Sequence, residues 1–194
     1  PHEEMKENKT DKKIDLELKP GLNDNIGGVW VFVEQLEGEL VSVTLELIGE
    51  AKKLASKLNV PVCTVLFGDK VEDIIPVLFK YGTDTVYIID NSVFHFYRAE
   101  TYSKAFCYLI DKYKPEILLI GATTTGRDLA GAIATSMKTG LTADCTKLDI
   151  DLDKRILLAS RPAFGGNIMA TIVCKDRRHQ MATVLPRVMQ MPEP

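Results

Sequence analysis

The feature that most narrows what this chain can fold into is a recurring pair: a short, largely apolar run, unbroken in Ile117–Ile120, then a stretch with helical spacing. The runs are Val29–Val33, 60–67, 85–89 and 117–120, closed by Glu34, Gly68, Asp90 and Gly121. Runs without polar alternation mark strands buried on both faces, because neither face meets water. Between them, Ser42–Leu58, 71–81 and 98–113 carry apolar residues at helical intervals, with Leu47, Ile48, Ala51, Leu54 and Leu58 along the first. Pro76 lies inside the second stretch, so that helix is kinked or begins there, and Gly82 ends it. Pro115 stops the third. The alternation predicts a Rossmann-like three-layer α/β fold: a doubly wound, mostly parallel sheet with right-handed crossovers.

After Thr139 the texture changes. Segments 145–152, 156–161, 168–174 and 180–185 are strand candidates with no helix between them, and Asp153-Lys154 and Gly165-Gly166 supply turns. They are expected to add antiparallel strands at the edge of the sheet. Residues 1–26 are mostly polar and read as a flexible leader, or as an edge strand through the alternation of Ile14, Leu16 and Leu18 with charged neighbours. The opening on Pro1 and the proline-punctuated 187–194, an exit linker, suggest a piece of something longer. One α/β domain is expected over 27–186.

Composition removes several function classes. Lys and Arg number 24 against 27 Asp and Glu, a net charge of −3 that gives no reason to expect nucleic acid or an anionic membrane. No apolar run approaches the roughly 20 residues that cross a bilayer. The start, PHEEMKENKTDKK, has no apolar core and is not a secretory signal, so the cytoplasm is expected. Cys63, Cys107, Cys145 and Cys174 are far apart and form no CxxC, which argues against a disulfide framework or a cluster site. Cys63, Cys107 and Cys174 read as small buried hydrophobes. His2, His95 and His179 show no zinc spacing.

No catalytic constellation emerges. Asp90 reads as a turn-former or cap, His95 between Phe94 and Phe96 as a packed loop histidine, and His179 after Arg177-Arg178 as a solvated hairpin tip. The stretch with chemical promise is EILLIGATTTGRDLAGAIA, from Glu116 to Ala134: buried strand, polar turn, helix. Such a turn lies at the carboxyl edge of a parallel sheet, where ligands bind. Its helix start suits a phosphate or the anionic edge of a flavin or nucleotide, and Arg127 adds a planar fixed charge. A plainer account stays open, in which Thr125 caps the helix, Asp128 offsets its dipole and Arg127 pairs on the surface. The turn is neither GxGxxG nor GxxxxGK[ST].

TTTGRDLA, TGLTADCTKLDID and SRPAFGGNIMATIVC, taken in order with VWVFVEQLEGELVSVTLELIGEAKKLA upstream, resemble the alpha subunit of electron transfer flavoproteins over about Gly27 to Val188. The TGRDLA form is similar to the nitrogen-fixation-linked and electron-bifurcating branch. The resemblance implies a heterodimer with a beta subunit that holds AMP or a second FAD. It implies electron carriage between an acyl-CoA or other dehydrogenase and an acceptor, with bifurcation from NADH in some members, and no self-sufficient catalysis. It implies that FAD sits mostly on the beta subunit and on a carboxyl-terminal domain absent from this sequence, so that this chain alone binds none tightly. Carried over, Arg127 approaches the beta-held flavin and stabilises its anionic reduced form, while Gly126, Thr125 and Asp128 shape the turn. Arg161, Pro162 and Phe164-Gly165-Gly166-Asn167 match a second motif near the interface, where Phe164 and the glycines read equally as a hairpin with a packed aromatic. Thr142-Ala143-Asp144-Cys145 match a third, with Asp144 a turn residue. After GRDLA this chain has Gly131-Ala132-Ile133 where many relatives have proline and arginine, and Leu185-Pro186-Arg187-Val188 departs from the usual order at the exit. The competing reading is a stand-alone adenine-nucleotide-binding α/β module, which the same fold also serves.

Overall fold

The computed structural model describes residues 27–175 and 179–194. The expectation for residues 1–26 lies outside them. In chain order the elements are β1 (Val29–Val33), the hairpin β2 (Gln35–Leu36) and β3 (Glu39–Leu40), α1 (Ser42–Leu58), β4 (Val62–Gly68), α2 (Ile75–Lys80), β5 (Thr85–Asp90), α3 (Ala99–Tyr113), β6 (Ile117–Gly121), α4 (Thr124–Met137), β7 (Leu141–Cys145), β8 (Lys147–Asp151), β9 (Ile156–Ala163), β10 (Ile168–Ile172) and β11 (Gln180–Val184).

Six strands form the central sheet in the order β5-β4-β1-β6-β11-β7, and every pairing in it is parallel. The apolar runs of β1, β4 and β6 follow from this position, each buried at every residue, as is β11. The run 85–89, expected to be buried on both faces, forms β5 at the sheet edge and is only half-buried. Alternate side chains of β1 feed two separate cores. Val29, Val31 and Val33 pack with Leu47, Ile48 and Leu54 of α1, while Trp30 and Phe32 pack with Phe106 of α3 and Leu129 and Ile133 of α4. The result is the doubly wound three-layer arrangement that the alternation predicts. Pro76 does not kink α2. It stands in the first turn, where its missing N–H costs nothing, after a 3-10 turn at Glu72–Ile74.

The carboxyl-terminal strands depart from expectation. None of them adds antiparallel pairing to the sheet edge. β8, β9 and β10 form a separate three-stranded antiparallel sheet, and β11 returns to the central sheet between β6 and β7, parallel to both. The expected strand 145–152 divides into β7 and β8, one in each sheet.

The small sheet is latched to the large one. Arg155 donates from Nε and Nη2 to the two carboxylate oxygens of Glu116, at 2.9 and 2.8 Å, and from Nη1 to the Leu58 carbonyl at 3.3 Å. The Gln180 side chain accepts from the Leu157 N–H at 2.7 Å and donates to the Arg155 carbonyl at 3.0 Å. Leu148, Ile150, Leu157 and Ala159 extend the α1-side core under this latch. His179 belongs to the same junction and not to a solvated tip: its Nδ1 lies 2.7 Å from the Pro115 carbonyl and its carbonyl accepts from Thr139.

Residues 185–194 form no helix or strand and lie along α1. The Arg187 N–H donates to Glu46 Oε2 at 2.8 Å, and Gly49 leaves room for the Pro192 ring, which an added Cβ would meet at 2.8 Å.

The Arg155–Glu116 pair is bidentate, with the acid's side chain 7% exposed and the arginine's 39%. Arg155→Ala strands a buried carboxylate. Urea unfolding should show a loss of about 2 kcal/mol, below the full cost of a buried pair because the arginine is partly solvated. The double variant Arg155→Ala/Glu116→Gln should lose less than the two single variants added together.

Candidate functional site

The turn between β6 and α4 is built by close approach. A Cβ on Gly126 would fall 1.9 Å from the Gly121 carbonyl oxygen, so only glycine lets the helix start so near the strand end. The cap is Thr123, the first of the three threonines, and not Thr125. Thr123 has the extended backbone a cap needs (φ −84°, ψ 175°), and its Oγ1 accepts from the Gly126 N–H at 2.9 Å. Thr125 falls within the first helical turn.

The Thr123 hydroxyl donates in turn to Glu34, with its oxygen 2.9 and 2.8 Å from the two carboxylate oxygens. Glu34 follows β1 directly. Burial pushes its carboxyl above the usual range, and the bond from Thr123 pulls the other way. In the sequence Glu34 reads only as the residue that ends the first strand. The available signal was an acid set against a strand too apolar to reach solvent.

Arg127 and Asp128 point to different neighbours. Asp128 Oδ2 accepts from the Tyr97 hydroxyl at 2.7 Å, a tie to the loop before α3 beyond any effect on the dipole. Arg127 Nε donates to Asp144 Oδ1 at 2.9 Å, joining the TTTGRD turn to the TADC segment of β7. This is the surface pair of the plainer account, with side chains 49% and 33% exposed. The terminal nitrogens of Arg127 make no hydrogen bond among the described residues.

Asp144 reaches Arg127 from a β-bulge. Ala143 and Asp144 together stand opposite Thr183 of β11, Asp144 has φ 58°, and its N–H donates to Thr183 Oγ1 at 2.9 Å. A bulge re-aims side chains, and aspartate is one of the few residues that tolerates this left-handed backbone.

Arg161 comes to the same neighbourhood from β9. Burial pushes the Cys145 thiol up to about 11, while the Arg161 charge acts to lower it and the Asp144 charge to raise it. Arg161 is half-buried, and its side chain has no hydrogen bond or ion pair among the described residues. Phe164 lies three residues further on, in the turn from β9 to β10. It is 82% exposed, with φ 50°, and Gly165 and Gly166 after it also have positive φ. The packed-aromatic reading is therefore overturned. Ile168, Met169 and Ile172 of β10 continue the exposed apolar surface.

On the other side of the turn, a cleft of about 610 Å³ opens at the carboxyl ends of β1 and β4, lined by Glu34, Gln35, Phe96, Tyr97 and Thr125 among others. It lies where the chain crosses from one half of the sheet to the other, β4 on one side of β1 and β6 on the other. His95 is on its rim, exposed, with Nδ1 3.2 Å from Asp69 Oδ2, and is not packed as expected. Asp90 is a turn-former: its oxygens accept from the N–H groups of Lys70 and Val71 at 2.7 and 2.9 Å. Among the described residues no group of His, Cys, Asp and Glu could hold a metal ion, and no helix is long and apolar enough to cross a membrane.

Residues 29–194 match the electron transfer flavoprotein domain family. The chain is 53% identical over 163 residues to the electron transfer flavoprotein subunit alpha of Clostridium acetobutylicum, covering 84% of this chain and 48% of that protein. It is 49% identical to the protein FixB of Azorhizobium caulinodans, covering 85% and 45%. With the acryloyl-CoA reductase electron transfer subunit beta of Anaerotignum propionicum it shares 41% identity, over 85% and 51%. The chain spans about half the length of the curated relatives it matches.

Two outcomes test the turn. Gly126→Ala should cost about 2 kcal/mol or more in thermal unfolding, since the clash is with backbone and cannot be relieved by a rotamer. Glu34 should show an unusual pH sign. Its folded-state pKa is raised, so between the unfolded and folded values the native state holds the extra proton, and stability falls as pH rises through that window. Glu34→Gln should therefore stabilise the chain at neutral pH, with the gain vanishing in acid below the unfolded carboxyl range. A gain that is equal at both pH values would contradict this assignment.

Proposed function

The chain belongs to the electron transfer flavoprotein family, and from that membership we propose that it is the amino-terminal domain of an alpha-type subunit. In this reading it pairs with a beta subunit in the cytoplasm and helps pass electrons through FAD, from an acyl-CoA or other dehydrogenase to an acceptor. Kinship with the FixB proteins extends the proposal to bifurcation from NADH.

The observation that carries the site assignment is Arg161. It is a half-buried residue whose side chain has no ion pair among the described residues, on the strand that leads into the exposed Phe164 turn. Burying part of a cation while leaving it unpaired is unfavourable unless another molecule supplies the negative charge. The donor set fits a flavin approached from outside. Arg161 offers a free fork, Arg127 offers its terminal nitrogens, and Phe164 offers an aromatic face. Neither arginine lines the cleft, so the surface contributes one wall of a site completed elsewhere. That agrees with a cofactor held mostly by the beta subunit and by a further domain, for which the greater length of the relatives leaves room. FAD, when bound, supplies the electron storage that the side chains lack.

The role of this chain is then positional and electrostatic. Arg161 places uncompensated positive charge beside a ring that becomes negative on reduction, which favours the reduced form, while Arg127, paired at Nε with Asp144, presents its terminal nitrogens as hydrogen-bond donors. Gly126 and Thr123 fix the α4 start from which Arg127 projects. The exposed strand β10 and Phe164 supply apolar area for the partner. The cleft at β1 carries Glu34 and Asp69 and has no glycine-rich phosphate loop, which weighs against a stand-alone nucleotide module.

An absorption spectrum of the purified chain, alone and mixed with its beta subunit, tests the assignment: flavin bands should be retained only in the mixture. In that complex Arg161→Ala should lower the flavin midpoint potential by roughly 30 mV or more, about 1.4 kcal/mol on a two-electron couple. Flavin retained by the chain alone, or an unchanged potential, would count against it.

A further inference from the structure

We propose that Asp144 is a positioning residue which orients Arg127 and cancels its charge, leaving Arg161 as the cation that sets the field on the partner-held flavin. The inference rests on the reading above, that this face meets the flavin, and adds a residue with a role opposite in sign.

The geometry carries three parts of the argument. First, Asp144 engages Arg127 at Nε alone, which fixes the plane of the guanidinium while both terminal nitrogens stay available. Second, the carboxylate is brought there at a conformational cost. Two residues of β7 oppose one of β11, and Asp144 takes a left-handed backbone secured by Thr183. A regular strand would have kept the ladder intact, so the bulge serves the direction of this side chain. Third, the neighbouring charges are unequally matched. Asp128 turns away to Tyr97, Arg127 is matched by Asp144, and Arg161 has no counter-ion among the described residues. The Cys145 thiol is held neutral by burial and adds no charge.

The sign of the effect follows. A flavin that gains negative charge on reduction is stabilised by uncompensated cations and opposed by uncompensated anions. Asp144→Asn frees the charge of Arg127 and should raise the potential, whereas Arg127→Ala exposes the Asp144 carboxylate and should lower it. A residue that only supported the fold would reduce flavin content or stability without this pairing of signs.

The test is a spectroelectrochemical titration of the flavin in the complex of this chain with its beta subunit. Asp144→Asn keeps the shape and the left-handed tolerance of the residue. It should shift the oxidised-to-reduced ratio about tenfold toward reduced at fixed solution potential, while Asp144→Glu, which keeps the charge, stays close to the unmodified complex. No shift in Asp144→Asn beside a clear downward shift in Arg161→Ala would overturn this inference and leave the flavin-facing assignment standing. No shift in either variant would overturn both. Should Asp144→Asn fail to assemble, Arg127→Ala is read instead, and an unchanged or raised potential there refutes the charge-cancelling role.

Discussion

At Gly126 the backbone of α4 meets the carbonyl oxygen of Gly121 with no room for a side chain, and the carboxyl edge of the sheet is arranged around that contact. Because the helix starts there, Thr123 sits where its hydroxyl can cap the helix and reach Glu34 at the same time. The next residues along the helix radiate from the same point, Arg127 toward β7 and Asp128 toward the loop before α3. Three long-range polar ties thus converge on one helical turn. A turn held from three sides does not wander, so the side chains of Arg127 and Asp128 keep fixed directions.

The central fold was readable because burial on both faces leaves a plain mark. Strands β1, β4 and β6 are almost wholly apolar, helices α1 and α3 show their period, and the alternation leaves few topologies. The last third was harder for a specific reason. β10 reads IMATI and β11 reads QMATV, sharing Met-Ala-Thr, yet one is an exposed edge strand and the other is buried at every residue in the main sheet. Local pattern cannot tell them apart. What separates them is the latch at Glu116, Arg155 and Gln180, formed by residues distant in sequence.

The candidate site was legible in its parts and not in its pairings. The motif residues are charged or glycine-rich in a way that draws attention, but sequence spacing could not show that Asp144 reaches Arg127 or that Arg161 is left without a partner. Three consecutive threonines offered equivalent caps, and only the point where the backbone leaves the extended region selects Thr123. Aromatic neighbours point to packing for His95, and the glycines after Phe164 leave a packed hairpin open beside a cofactor contact, yet both side chains are exposed. Exposure depends on how far a loop stands off the body, which neighbouring residues do not encode.

Among the described residues β10 has a ladder partner on one side only, β9, and its other edge offers unspent N–H and C=O groups along a largely exposed, apolar strand. Natural proteins blunt such edges with charges or prolines, and Ile168–Ile172 contains neither. Held apart from whatever normally covers it, this strand is a template for its own copies. Self-association and fibril growth at high concentration are then the characteristic hazard of the isolated chain.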